Sequence, residues 1–452
     1  MWKILLSLFS KLTQRHAKEN PIPRLKCSRD IAELPSEPYL QSSLDKVELP
    51  SEACLQSSRD NVELPSEPCL QSSRDMAELP PEIIFNILSR VPVKYLVRSR
   101  CLSKQFYQYI DDSYLHMIYN KRAAEDPTQI IMISQNHAHP KQVCIQSLHK
   151  KNSKQGSIVL SLKKDSLLKL ECEKLSRVYA ASDMVRGSCN GWLYLSQEYY
   201  SQYIGFILVH PLKREYYEVP RVWHSYHEQF TCGLGFDAST NTFKMVCVFY
   251  KKTRDLCTMV HVLGTGSWRN MPQVPSYPIE GQAVFAQGCL YWLTEKRDLL
   301  MADVRRKIAW FDMSNEKFGL IDSPKRIDDD LIREQLVDLQ SEVGYVYHHT
   351  FRSIEVWVLK QQEWVMHCQI DQKTPLPLRS IRVVGRLNKD GDILITVGRT
   401  ITDARQFFVY KVQSGVLDEA NIVGMRDGYS RTICMYPTSL NSIRNIYPSI
   451  KK

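Results

Sequence analysis

Five short apolar runs, each led by a glycine, recur along the chain from Gly191 onward and restrict what it can fold into. They begin at Gly191, Gly235, Gly288, Gly344 and Gly391, at spacings of 44, 53, 56 and 47 residues. Trp192, Leu193, Tyr194 and Leu195 follow the first glycine, and Cys289, Leu290, Tyr291, Trp292 and Leu293 follow the third. Runs this short, rich in aromatic and β-branched residues and flanked by turn formers, predict strands. In most units a second β run follows, at residues 206–209, 259–262, 308–311, 354–358 and 407–410. A third element comes after it at residues 216–220, 267–272 and 363–365. Strand-rich units repeating every roughly 40–50 residues have the spacing of propeller blades, in which each sheet buries a face on its neighbour. Residues 129–133 and 157–162 are β-forming as well, and are placed to close such a ring with the C-terminal part.

Upstream the texture is helical. Ile83, Ile84, Ile87, Leu88 and Val91 fall at the spacings of one helical face, behind a start of Pro80, Pro81 and Glu82, where a missing N–H costs nothing. Pro92 ends that helix, and Val93, Leu96, Val97, Arg100 and Cys101 continue at helical spacing. Ser103 and Asp112 are N-cap residues for further helices. A segment this short has more apolar residues than it can bury alone, so a partner surface is expected.

This helical segment resembles an F-box in its plant form. The likeness is carried by Leu79 and Pro80, by residues 87–94, by Leu96, Val97 and Arg98, and by residues 100–104, with Phe106 where the family usually has tryptophan. It implies docking on a Skp-type adaptor and, through it, on cullin and RING subunits. The adaptor contacts it implies are Leu79, Pro80, Ile83, Ile84, Ile87, Leu88, Pro92, Val93, Leu96, Leu102 and Phe106. Residues 128–440 are similar to the kelch-like F-box-associated domain. That likeness rests on residues 185–191, on Val209, His210 and Pro211, and on residues 232–237 and 308–314, with His210 standing where the family more often has asparagine.

Between residues 28 and 75 lies an internal repeat of period fifteen. Asp30, Asp45 and Asp60 each open a copy, and Asp75 opens a fourth that runs into Leu79 and Pro80. The first three copies lack an apolar stripe after their Ser-Glu pair, and two have proline there, which predicts a disordered leader.

Composition narrows the function classes. At 43% hydrophobic and 10% aromatic, the chain can build a substantial core. Its net charge of +10 is scattered rather than gathered into an arginine and lysine run, so nucleic acid is not the expected partner. Thirteen cysteines, with Cys247 and Cys257 the nearest pair, form neither a disulfide framework nor a Cys-x-x-Cys zinc motif. Reduced thiols follow, hence a nuclear or cytoplasmic location. The apolar start, residues 2–12, is too short to span a bilayer, so no membrane is expected and residues 1–27 read as an amphipathic segment.

No phosphate loop, zincin helix or nucleophile elbow occurs, and residues 187–191 read as a turn rather than a nucleophile. His224, His227 and Glu228, the pair His137 and His139, and the acidic run 328–330 read as loop residues, with no metal or cofactor implied. Trp223, His224, Tyr226 and Tyr277 lie in longer connections, where a rigid scaffold displays its recognition residues, and are the candidate target contacts.

The expected architecture is therefore an α plus all-β multidomain chain. It comprises an N-terminal segment (1–27), disordered repeats (28–75), a three-helix F-box (76–122), a kelch-like β-propeller (128–440) and a tail (441–452). The expected role is non-catalytic: recognition of an unidentified protein target for a Skp-cullin-F-box ubiquitin ligase. The alternative is a carbohydrate- or small-ligand-binding propeller without a ligase role.

Overall fold

The computed structural model describes residues 25–26, 79–123, 129–136, 139, 142–152, 158–163, 165–171, 185–198, 203–223, 229–250, 255–295, 305–326, 333–349, 353–371, 380–398, 404–425 and 429–440. The expected disordered repeats, the amphipathic start apart from Leu25 and Lys26, and the tail after residue 440 lie outside the described residues. Among the described residues, 79–84 fall in one unit, and Leu25, Lys26 and the residues from Phe85 onward fall in another.

The helical module has four helices rather than three: α1 (Pro81–Leu88), α2 (Val93–Ser99), α3 (Lys104–Asp111) and α4 (Ser113–Ala123). Both expected caps form and explain the extra division. The Ser103 hydroxyl accepts the Phe106 N–H at 3.1 Å, and Asp112 Oδ1 accepts the Tyr114 N–H at 2.8 Å, so the chain restarts twice. Pro92, with extended backbone, separates α1 from α2. Leu96, Ile110 and Leu115 are fully buried, and the Tyr119 hydroxyl accepts the Val93 N–H at 3.0 Å, tying α4 to the start of α2. The Arg122 guanidinium donates to the Asn86 carbonyl and the Ser89 hydroxyl, tying α4 to the end of α1.

The remaining strands are β1 (Leu25–Lys26), β2 (Gln129–Asn136), β3 (Gln142–Asn152), β4 (Ile158–Leu162) and β5 (Leu168–Glu171), followed by four antiparallel four-stranded sheets. The first sheet is β6 (Val185–Cys189), β7 (Trp192–Glu198), β8 (Tyr203–His210) and β9 (Glu215–Trp223). The second is β10 (Gln229–Asp237), β11 (Thr242–Tyr250), β12 (Leu256–Val262) and β13 (Arg269–Met271). The third is β14 (Ile279–Ala286), β15 (Cys289–Thr294), β16 (Arg305–Asp312) and β17 (Phe318–Arg326). The fourth is β18 (Arg333–Asp338), β19 (Val343–His348), β20 (Ser353–Lys360) and β21 (Glu363–Asp371).

A fifth blade, β22 (Ser380–Arg386), β23 (Ile393–Gly398), β24 (Ala404–Lys411) and β25 (Val416–Val423), merges with the closing blade into one ten-stranded sheet. In the closing blade the last strand, β26 (Tyr429–Tyr436), pairs antiparallel with β2, Gln129 opposite Tyr436. β2 pairs with β3, and β3 with both β4 and β5. β4 also runs parallel to β25, with Ala420 opposite Ile158, and β1 adds two residues beside β5. Among the described residues the ring thus closes with six blades, and residues 129–133 and 158–162 fill the places expected of them.

Each blade packs on the next through its own apolar core. Trp192, Phe206 and Phe243 lie between the first two blades, Tyr291 and Tyr345 between the third and fourth, and Leu394 and Ile433 between the fifth and the closing blade. The glycine-led runs turn out to be second strands: Gly191, Gly288 and Gly391, with φ near +80°, sit at the turn from innermost to second strand. Gly235 is the exception, lying inside the innermost strand β10.

Candidate functional site: two faces of the propeller

Strands in a blade alternate in direction. The start of the innermost strand, the end of the second, the start of the third and the end of the fourth therefore share one face of the ring. The turns β6–β7 and β8–β9 lie on the other face.

On that second face α4 meets the propeller. Asn120 Oδ1 accepts from the Ser439 hydroxyl at 3.0 Å and from the Leu440 N–H at 3.1 Å, just beyond the end of β26. Lys213, in the β8–β9 turn, donates to the Leu440 carbonyl, and the Tyr436 hydroxyl donates to the Gly191 carbonyl at 2.7 Å, so the first and closing blades are sewn together at the same place. Arg100 pairs with Asp111 and stands 3.9 Å from Glu215. A Cβ at Gly191 would lie 2.9 Å from both His210 Nε2 and Ser439 Cβ, which is why the turn needs glycine there.

The electrostatics of this seam keep its histidines neutral. Burial, then the nearby Lys213 and Arg100 charges, pull the His116 pKa down to about 3, against the opposing effect of the Ile110 carbonyl. Burial followed by Lys213 also lowers His210. A buried, hydrogen-bonded seam of this kind holds α4 on the ring.

The expected adaptor contacts fall into two groups. Pro80, Ile83 and Pro92 are exposed, and Leu79, Ile87, Leu102 and Phe106 partly so. Ile84, Leu88, Val93 and Leu96 are buried and serve as core. A helical stripe alone does not separate the two groups, because core and partner-facing positions share the same period. Sequence reasoning missed Tyr107, Tyr114 and Met117, which α3 and α4 leave exposed. The signal available was the tyrosine and methionine spacing along residues 107–117.

The opposite face holds the expected target contacts that are described. Trp223, at the end of β9, is 58% exposed, and Tyr277, in the connection leading to β14, is 41% exposed. His224 and Tyr226 lie outside the described residues. The same face carries a cleft of about 330 Å³ between the second and third blades, with Phe230, Val248, Tyr250, Leu256 and Ile279 as its apolar lining and Glu280 and Glu295 as its acids. Glu280 is held by the buried Arg306, which also pairs with Glu334 at 2.7 Å and donates to the Thr294 carbonyl at 2.7 Å. Neither the cleft nor this ion network was legible in the sequence, since its members come from separate strands.

Of residues 187–191, the first three end β6, and Asn190 and Gly191, both with positive φ, make the expected turn into β7. Cys189 is buried and its thiol is pushed well up by burial. Among the described residues the cysteines are free thiols, and no group of His, Cys, Asp and Glu is arranged to hold a metal ion. His137, His227, Glu228 and the acidic run 328–330 lie outside the described residues.

Comparison with known proteins agrees with this architecture. Residues 129–447 match the F-box associated beta propeller domain. The chain belongs to that family. Residues 76–117 match the F-box domain. A protein of Arabidopsis thaliana named for an F-box is 28% identical over 307 residues, covering 62% of this chain and 59% of the relative, so the chain spans less than two thirds of that relative's length. A second Arabidopsis thaliana F-box protein is 21% identical over 343 residues, 73% of this chain and 71% of its own. Among solved structures, the six-bladed fucose-binding lectin of Aleuria aurantia covers 67% of this chain and 99% of its own at 9% identity, with a TM-score of 0.38. A likeness that remote carries no argument about ligands. The chain therefore carries an F-box followed by an F-box associated propeller.

Proposed function

We propose that this chain is the substrate-recognition subunit of a Skp-cullin-F-box ubiquitin ligase. The observation that carries the reading is the division of labour between the two faces. Helix α4 is fixed to one face through Asn120, Ser439 and Leu440, while Trp223, Tyr277 and the cleft occupy the other. A target seated there is presented away from the F-box attachment.

The mechanism is proximity. The F-box binds a Skp-type adaptor, which places the chain on cullin and RING subunits, and the propeller holds a target protein so that its lysines reach a high local concentration beside the charged conjugating enzyme. This chain supplies binding and orientation and no reacting side chain. Degradation of the target follows from ubiquitin transfer, and the nucleus or cytoplasm is where the machinery would act.

Adaptor pull-down with the full chain tests the reading. Wild type is expected to retain a Skp-type adaptor and the Leu79→Ala/Pro80→Ala double variant to lose it. An adaptor that ignores wild type, or that binds both forms equally, would overturn the assignment.

A further inference from the structure

The axis of the ring is polarised. Three consecutive innermost strands, β22, β26 and β6, carry Arg382, Arg386, Arg431 and Arg186 and have no aspartate or glutamate between them. The other three, β10, β14 and β18, carry Asp237, Glu280, Glu334 and Asp338 against a single cation, Arg333, at the start of β18. Most of these charges already have partners: Arg386 pairs with Glu342 at 3.2 Å, Asp237 with Lys244 at 2.9 Å, and Glu280 and Glu334 with Arg306. Asp338, at the far end of β18, accepts the Ser341 N–H at 2.8 Å, and burial pushes its carboxyl up to about 6.

Arg382 differs. Its guanidinium donates to a neutral group, the Gln282 amide oxygen, at 3.1 Å. Gln282 is held in turn by donating its amide N–H to the Val185 carbonyl at 2.9 Å, so the bridge from β22 through β14 to β6 crosses the axis. Among the described residues no carboxylate pairs with Arg382, and the neighbouring Cys434 of β26 is a thiol whose ionisation burial opposes. Solvent reaches part of the side chain, while the surrounding atoms desolvate the guanidinium and lower its pKa. A desolvated cation without an anion is costly, and a guanidinium fork held in place by one amide is matched to a planar or tetrahedral oxyanion.

We infer that Arg382 is the anchor of an oxyanion site on the propeller axis, taking a phosphate-class group beside Gln282. Arg382 is the third residue of β22, near the ring face that bears Trp223, Tyr277 and the cleft. The oxyanion is therefore either a free ion or a phosphorylated side chain of a bound target; the second source rests on the proposed function, the site itself does not.

The test measures thermal unfolding of the full chain, without adaptor, in inorganic phosphate or O-phosphoserine against chloride and serine at matched ionic strength. Wild type should gain about 2–5 °C at saturating probe. Arg382→Gln should lose the gain, and Arg382→Lys, which keeps the charge without the fork, should keep a smaller one. A gain from phosphoserine assigns the source to a modified side chain, and a gain from inorganic phosphate alone assigns it to the free ion. No gain in wild type, or an equal gain in Arg382→Gln, overturns the site. Should Arg382→Gln fail to fold, phosphorus NMR of inorganic phosphate with wild type and Arg382→Lys decides: equal line broadening in both, or none in either, overturns it. Adaptor pull-down is independent of every arm, so failure here and failure of the ligase reading are distinguishable.

Discussion

Removing the Asn120 side chain should loosen the joint between α4 and the ring by an amount that the structure sets. Its Oδ1 is shared by the Ser439 hydroxyl and the Leu440 N–H, and both of these residues are buried. Asn120→Ala leaves two buried donors without that acceptor, each costing about 1–3 kcal/mol, so a total of about 2–4 kcal/mol is expected once the cavity partly relaxes. Asn120→Asp keeps an acceptor in place and should cost less than the alanine variant. Urea unfolding of the full chain followed by tryptophan fluorescence gives both values, and limited proteolysis reports whether α4 is cut sooner. A loss below about 0.5 kcal/mol in Asn120→Ala would refute the reasoning, because it would mean the two donors find water or another acceptor at no cost.

Two further outcomes are expected. His116 has a folded pKa of about 3 against 6.5 unfolded. The unfolded chain therefore binds the extra proton between those values, and stability falls as pH drops through that window, by about 2 kcal/mol at pH 5 from this group. Asp338, raised to about 6, acts in the opposite sense, so the measurement is the difference between wild type and His116→Gln in urea midpoints at pH 7.5 and pH 5. Identical pH slopes would contradict the assignment. Arg306→Leu leaves the fully buried Glu334 carboxylate with the Tyr345 hydroxyl but without its cation, and should cost about 3–5 kcal/mol in the same assay; a loss under 1 kcal/mol would show that the ion network contributes little.

Much of this fold was legible in the sequence, one strand at a time. The second and third strands of most blades announce themselves, because they bury aromatic and β-branched side chains against both neighbouring sheets. Innermost strands other than β10 do not. Residues 333–338, 380–386 and 429–436 mix arginine, glutamate and serine with apolar residues, since they line the axis as well as packing on a sheet. Closure of the ring, made by β26 beside β2, therefore leaves little trace in the sequence. Turn chemistry was legible at Asn190 and Gly191, where only a left-handed backbone closes the hairpin.

The candidate surfaces were less legible, for a physical reason. Burial decides whether an apolar residue is core or partner surface, and burial is a property of the assembled chain. Ile83 and Ile84 are neighbours in sequence, yet one is 46% exposed and the other 1%. The polar seam of Asn120, Lys213, Ser439 and Leu440 joins residues more than two hundred positions apart and leaves no local pattern. The same holds for Arg382 and Gln282, one hundred positions apart, whose meeting exists only once the ring has closed.

The central claim is that the F-box region engages an adaptor while the far propeller face stays open for a target. Amide hydrogen exchange of the full chain, with and without a Skp-type adaptor, measures both halves at once. The account predicts new protection across residues 79–106, with residues 223 and 277–281 exchanging as before. Protection centred on Trp223 or Tyr277, or no change anywhere at saturating adaptor, would contradict it.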